Sequence, residues 1–199
     1  MQSRLNFPLN IGPLEKTMQN KLAIFLIFFL GLTRFNHFGS AIALPDASWA
    51  VFFLAGFWIQ AKGLFPILIL ESVIVDYFAI QHGVSGWCVS SAYAFLVPSY
   101  AALWFSGFYF RKRNQEMQWK TIGYFFIWVW LGVTTAFFIS NESFYRLSGK
   151  FSQLNWFEFY RQVFVYYKAY LITTYLYVTI LMGLVVVLRS SLNKQELIP

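Results

Sequence analysis

Apolar residues occupy six long blocks along the chain, and short polar connections separate these blocks. The hydrocarbon core of a bilayer needs about 20 helical residues, so blocks of this length are typical of membrane-spanning helices. The second and third blocks are slightly short, and the last is long enough to tilt or protrude. Because brief connections favour antiparallel neighbours, the pattern predicts one bundle of six transmembrane helices. The blocks are Lys21–Phe38, Asp46–Ala61, Gly63–Ile80, Ser90–Phe110, Trp119–Ile139 and Trp156–Leu188.

The composition indicates that lipid, and not water, is the main solvent of the chain. Hydrophobic residues make up 58% of the 199 residues and charged residues only 12%, with a mean hydropathy of +0.55. Soluble domains carry about 25% charged residues. A soluble core of this size could not hide so much apolar surface, so we expect an all-α membrane protein.

The distribution of positive charge predicts the orientation of the bundle. The formal net charge is +7, but the cations lie mostly in connections and not on one polar face, which argues against a nucleic-acid partner. With six spans, most of the 15 Lys and Arg residues fall on the side that holds both termini, which is then cytoplasmic. We therefore expect a cytoplasmic segment 1–20, a membrane domain 21–189 and a cytoplasmic tail 190–199, in the inner membrane.

Ionisable residues also occur inside two of the predicted spans. Such residues are costly in lipid, so they usually face the bundle interior and have partners. Counting about 1.5 Å per residue from the outer ends pairs Asp76 with Arg161 near the mouth and Glu71 with Lys168 deeper in the membrane. This depth match predicts an outward-open cavity between the third and sixth helices, or else structural pairs that line no cavity. Arg34, at the outer end of the first helix, is interpreted as interfacial.

Cys88 is the only cysteine, which excludes an internal disulfide and any Cys-x-x-C motif. A lone cysteine is often just a small apolar residue. Here it precedes the predicted fourth helix in an outward-facing connection, and a helix N-terminus favours the thiolate. Without a second cysteine or a His-Asp pair nearby, this thiolate suits ligation of a soft metal carried inside a cofactor better than hydrolysis.

Several features occur together in this sequence. The motif Leu-Pro-Asp-Ala-Ser-Trp-Ala-Val-Phe-Phe-Leu-Ala-Gly fills positions 44–56, Cys-Val-Ser-Ser-Ala-Tyr fills 88–93, and both lie in the six-span frame with Asp76 and Arg161. Over nearly its whole length the chain resembles the BtuM family, the small solitary substrate-binding (S) components of energy-coupling-factor (ECF) type that bind cobalamin. The resemblance implies that Cys88 is an axial ligand to the cobalt of cobalamin and that Asp76, Tyr93 and Arg161 contact the corrinoid.

The resemblance also implies a transporter and not an enzyme, although a cobalt-bound thiolate could help to remove an upper ligand such as cyanide. An ECF energising module, with ATPases and a transmembrane coupling subunit, is the partner that the resemblance suggests. The first helix, however, lacks the Ala-x-x-x-Ala stripe through which many S components dock to such a module.

Other functions stay open at this stage. One is an S component for another vitamin, with Cys88 as a packing residue, and another is a proton-coupled carrier that uses Glu71 and Asp76. A membrane enzyme with a thiol nucleophile is disfavoured, because neither histidine has an orienting carboxylate near it in sequence.

Overall fold

The computed structural model of the chain describes residues 15–35, 45–59, 61, 63–114 and 119–195, without the side chains of Cys88, Trp119, Lys120 and residues 190–195. In this part of the chain every regular element is helical, with no strand. Two short 3₁₀ helices, Gly86–Cys88 and Ser91–Phe95, connect the third and fourth α-helices. The α-helices are α1 (Lys16–Arg34), α2 (Ser48–Trp58), α3 (Leu64–Gln81), α4 (Leu96–Arg113), α5 (Trp119–Leu147) and α6 (Trp156–Gln195).

Three of these helices have stretches long and apolar enough to cross a membrane: Leu64–Gln81, Thr121–Leu147 and Trp156–Arg189. The helix α2 is also apolar but shorter, with 11 residues. The described part of the chain is therefore all-helical and contains helices suited to a membrane, as the sequence predicts.

The helix bounds differ from the predicted blocks at several ends. The helix α1 begins at Lys16, before the predicted block, and α6 continues to Gln195, into the predicted tail. The largest difference is at α5, which continues to Leu147 and does not end at Ile139. The helix α4 begins at Leu96 and not at Ser90. Pro98 has no N–H to donate to a carbonyl one turn earlier, so it fits best in the first turn of an α-helix, where that N–H has no partner in the helix. The chain before Leu96 forms a 3₁₀ helix instead, with the Ser90 side chain accepting from the backbone N–H of Ala92.

The helix α2 lies at the centre of the molecule, and all of its residues except Trp49 are buried. Its main neighbour is α4. A Cβ added at Gly56 would lie 2.1 Å from the carbonyl oxygen of Trp104, and one added at Gly107 would lie 2.1 Å from that of Phe53. The two backbones therefore touch directly, as small residues allow in membrane helix pairs.

The other helices surround this central pair. The helix α1 packs beside α2 and α3, α5 packs beside α4, and α6 packs against α5 and α2. Burial and the charge of Arg189 lower the pKa of Arg111. The carboxyl ends of α4 and α6 therefore lie close together, and this end of the molecule is strongly basic.

Candidate functional site

The strongest polar cluster in the described residues surrounds the guanidinium of Arg34, at the end of α1. Only 5% of Arg34 is exposed. Its Nε donates to Asp76 Oδ1 at 2.8 Å, and its Nη2 donates to Asp76 Oδ2 at 2.7 Å. Such a bidentate pair is the strongest geometry for an arginine and a carboxylate. The expected interfacial role of Arg34 is therefore wrong: it is a buried charge, and its counter-ion lies on α3.

Further contacts of Arg34 connect this ion pair to α2 and α4. Its Nη1 donates to Ser48 Oγ at 2.8 Å and to the hydroxyl of Tyr100 at 2.6 Å. Asp46, just before α2, lies 3.5 Å from Nη1 and accepts hydrogen bonds from the backbone N–H and the hydroxyl of Ser48. The Tyr100 ring is stacked on Phe52, with centroids 4.1 Å apart. Arg34 therefore joins four helices through one side chain.

Tyr93 brings the connection between α3 and α4 to the same cluster. Its hydroxyl donates to Asp76 Oδ2 at 2.6 Å. Asp76 and Tyr93 are two of the four residues that the sequence proposes for ligand contact, and they touch although 17 positions separate them. Asp76 is 7% exposed and Tyr93 is half-buried, so the carboxylate is the more deeply buried partner of this contact.

The depth-matched pairs expected from the sequence are not formed. Asp76 is paired with Arg34 and not with Arg161, whose side chain is exposed on α6. Glu71 makes no ion pair with Lys168, which is also exposed. The physical reason is the packing order: α3 lies beside α1, whereas α6 lies against α5 and α2.

The connection that contains Cys88 is held by a residue that sequence reasoning missed. Lys150, between α5 and α6, donates a hydrogen bond to the carbonyl of Trp87, and its Nζ lies 3.8 Å from the centre of the Trp87 ring. The face of a tryptophan ring attracts a cation more strongly than that of tyrosine or phenylalanine. A positive charge is therefore held against the residue that precedes Cys88. The side chain of Cys88 itself lies outside the described residues.

The position of Cys88 relative to α4 also differs from the expectation. Cys88 ends a separate 3₁₀ helix, and α4 begins only at Leu96. The dipole of a helix acts mainly within its first turn, and the helical turn closest after Cys88 is the 3₁₀ helix Ser91–Phe95, which leads into α4. The positive charge that the structure describes beside this connection is Lys150, in contact with Trp87.

Arg161 lies at the same end of the molecule as this connection, because it is in the second turn of α6. The start of α6 is fixed to α5 by Glu142, which accepts hydrogen bonds from Arg146, Trp156 and Tyr160. In the side chains that the structure describes, no three His, Cys, Asp or Glu residues group together as metal ligands. The arrangement offers a buried carboxylate, phenol hydroxyls and cations beside one connection.

No protein-family model and no curated protein matched the chain when it was compared with them.

Some of the missed residues had a signal in the sequence. Arg34 follows an apolar run, and α1 contains no acidic residue that could neutralise it, which makes a carboxylate elsewhere in the chain a candidate partner. Lys150 had no comparable signal. It lies in a polar connection with Ser148 and Gly149, where a solvated lysine is the ordinary expectation.

Proposed function

We propose that the chain is a cobalamin-binding protein of the inner membrane that takes part in uptake of the vitamin. In this proposal it has six transmembrane helices, cytoplasmic termini and the character of an ECF S component, and it is a transporter and not an enzyme. The contact of Asp76 with Tyr93 carries the proposal. The resemblance implies that both residues contact the corrinoid, and Tyr93 belongs to the connection that also contains Cys88.

The hydrogen bonds of this pair favour a ligand with amide N–H groups. Asp76 Oδ2 already accepts from Arg34 and Tyr93, whereas Oδ1 accepts from Arg34 and has a second lone pair. The Tyr93 proton is used by Asp76, so the phenol oxygen can still accept. The pair therefore presents acceptors. The rim of a corrin ring carries primary amides, whose N–H groups match them.

The metal part of the proposal depends on Cys88 and on the charge of Lys150. A nearby cation favours the thiolate form of a cysteine, and a thiolate is a soft ligand for a transition metal. Cobalamin would then bind with its cobalt facing Cys88, and the thiolate would replace the ligand that occupies that axial position. Arg161, exposed at the same end, is the fourth proposed contact.

The test is a titration of the purified protein with aquocobalamin, followed by visible absorption. We expect a band shift with the natural chain and no shift with Cys88→Ala. Tyr93→Phe should keep the shift but weaken binding about 2- to 10-fold, the equivalent of one hydrogen bond of about 0.5–1.5 kcal/mol. Tyr109→Phe is the matched control, because Tyr109 is exposed near the carboxyl end of α4, far along the chain from the Asp76 contact. If the natural chain neither shifts the spectrum nor retains the corrinoid, the proposal is wrong.

The role of Lys150 has its own test. Lys150→Met removes the cation beside Trp87, so alkylation of Cys88 by iodoacetamide at neutral pH should slow by about 3-fold or more, since only the thiolate reacts. Lys112→Met, at the opposite end of α4, is the control for net charge and should leave the rate unchanged. Equal rates in the natural chain and Lys150→Met would show that Lys150 only fixes the connection.

The alternative functions predict different results. An S component for another vitamin would bind a different ligand from a panel and leave the cobalamin spectrum unchanged. A carrier driven by protons through Glu71 and Asp76 would take up its substrate in vesicles without ATPases when a pH gradient is applied. The ion pair of Asp76 with Arg34 argues against Asp76 as a member of such a relay.

A further inference from the structure

Glu71 is the second carboxyl of α3, and its surroundings differ from those of Asp76. It lies about 10 Å from the amino end of the candidate span Leu64–Gln81, at about 1.5 Å per residue. Its Oε1 approaches α1 so closely that a Cβ added at Gly31 would lie 3.1 Å away. Its Oε2 is buried and has no hydrogen-bond partner among the described residues.

The positive charge of Arg34 attracts Glu71 but is shared with two other carboxylates, Asp76 and Asp46. On α1, the charged residue that faces it is Arg34, which is bound in bidentate fashion to Asp76. The helix α2 has no titratable residue over Ser48–Trp58. On α3 itself the neighbouring titratable residues are Asp76, which is paired, and Tyr77, which is exposed. Lys168 forms no ion pair with Glu71.

An ionised carboxylate in this position would be costly. Insertion of a charged residue at the centre of a membrane helix costs about 2.5–3.5 kcal/mol, and an unpaired buried oxygen loses the hydrogen bonds that water would give it. A protonated carboxyl is neutral and therefore avoids the cost of inserting a charge. Glycine at position 31 leaves room for the carboxyl between the two helices.

We propose that Glu71 is a proton-binding site within the membrane, held as the neutral acid between α1 and α3. The ligand is a proton, and its loss places a charge in the contact between these helices. The contact of α1 with α3 is therefore sensitive to pH, whatever the chain transports. This inference does not rest on cobalamin binding.

The test uses dicyclohexylcarbodiimide, an apolar reagent that adds to protonated carboxyl groups in lipid. The acid adds across the carbodiimide to give an O-acylisourea, which rearranges to a stable N-acylurea without loss of atoms. With the full chain in lipid nanodiscs, mass spectrometry should find the adduct on Glu71 and none on Asp76. Labelling should fall as the pH is raised, and Glu71→Gln should abolish it.

Glu142→Gln is the matched control, because Glu142 already accepts hydrogen bonds from three side chains. In this variant Glu71 should be labelled to the same extent as in the natural chain. Infrared difference spectra provide a second measurement: raising the pH should remove a protonated-carboxyl C=O band that Glu71→Gln lacks throughout. Absence of both the adduct and the band in folded protein would overturn the proposal. If sodium ions block the labelling of Glu71 and a change of pH does not, the proposal is also overturned, and Glu71 is a site for a metal cation instead.

Discussion

Among single residues, Arg34 is a charged side chain buried between helices in the described chain. Its guanidinium is buried and forms hydrogen bonds with Asp76, Ser48 and Tyr100. Removing one partner of a buried ion pair costs about 3–5 kcal/mol, because the other charge stays buried without compensation. Arg34→Met should lower the free energy of unfolding by about this amount, measured by denaturant titration in detergent.

Two further variants make this prediction specific. Arg34→Met/Asp76→Leu removes both charges and should recover part of the lost stability, because paired sites are not additive. Arg113→Met is the single-site control: Arg113 lies over the Trp128 ring at the surface, and its loss should cost less than about 1 kcal/mol. Equal losses for Arg34→Met and Arg113→Met would contradict the structural role of the ion pair.

At the scale of helices, the direct backbone contact of α2 with α4 organises the molecule. A Cβ at Gly107 would overlap the carbonyl of Phe53, and the overlap is with backbone that cannot rotate away. Gly107→Ala should therefore separate the two helices and lower the melting temperature by several degrees, as a loss of about 1–3 kcal/mol from overpacking would do. Thermal unfolding in detergent measures this change.

Gly183→Ala is the matched control for this substitution. Gly183 is also in the interior of a helix, and nothing lies within 4 Å of a Cβ added there. Because alanine favours a helix over glycine by about 1 kcal/mol, this variant should be as stable as the natural chain or more so. If Gly183→Ala lowers the melting temperature as much as Gly107→Ala does, both glycines act through helix flexibility and not through the α2–α4 contact.

Hydrophobic blocks predicted the existence and order of the helices, because burial in lipid requires long apolar runs that are visible locally. The partners of charged residues could not be predicted in this way. Matching Asp76 with Arg161 by depth assumed that α3 faces α6, but the packing places α1 beside α3. The start of α4 was recoverable, since Pro98 marks the first turn of a helix. The contact of Lys150 with Trp87 joins two connections 63 positions apart, and nothing local indicates it.

At the scale of the whole molecule, the single cysteine allows the proposed orientation to be measured. In right-side-out vesicles, a membrane-impermeant maleimide should label Cys88, because the connection between α3 and α4 is proposed to face outward. In a Cys88→Ser/Asn114→Cys variant, the new thiol follows the basic end of α4 and should react only after the membrane is made permeable. Labelling of Asn114→Cys but not of Cys88 in intact vesicles would reverse the orientation.

The pairing of Arg34 with Asp76 has a consequence for biogenesis. The ribosome completes the arginine 42 residues before its acidic partner, which at about 5–20 residues per second is a delay of about 2–8 s. Through most of that interval the guanidinium lacks its bidentate partner, and the nearby carboxylate that has already been made is Asp46, 3.5 Å from Nη1 in the folded chain. The full set of contacts around Arg34 can therefore form only after α3 has been made, so that α1, α2 and α3 complete their packing together and not one helix at a time.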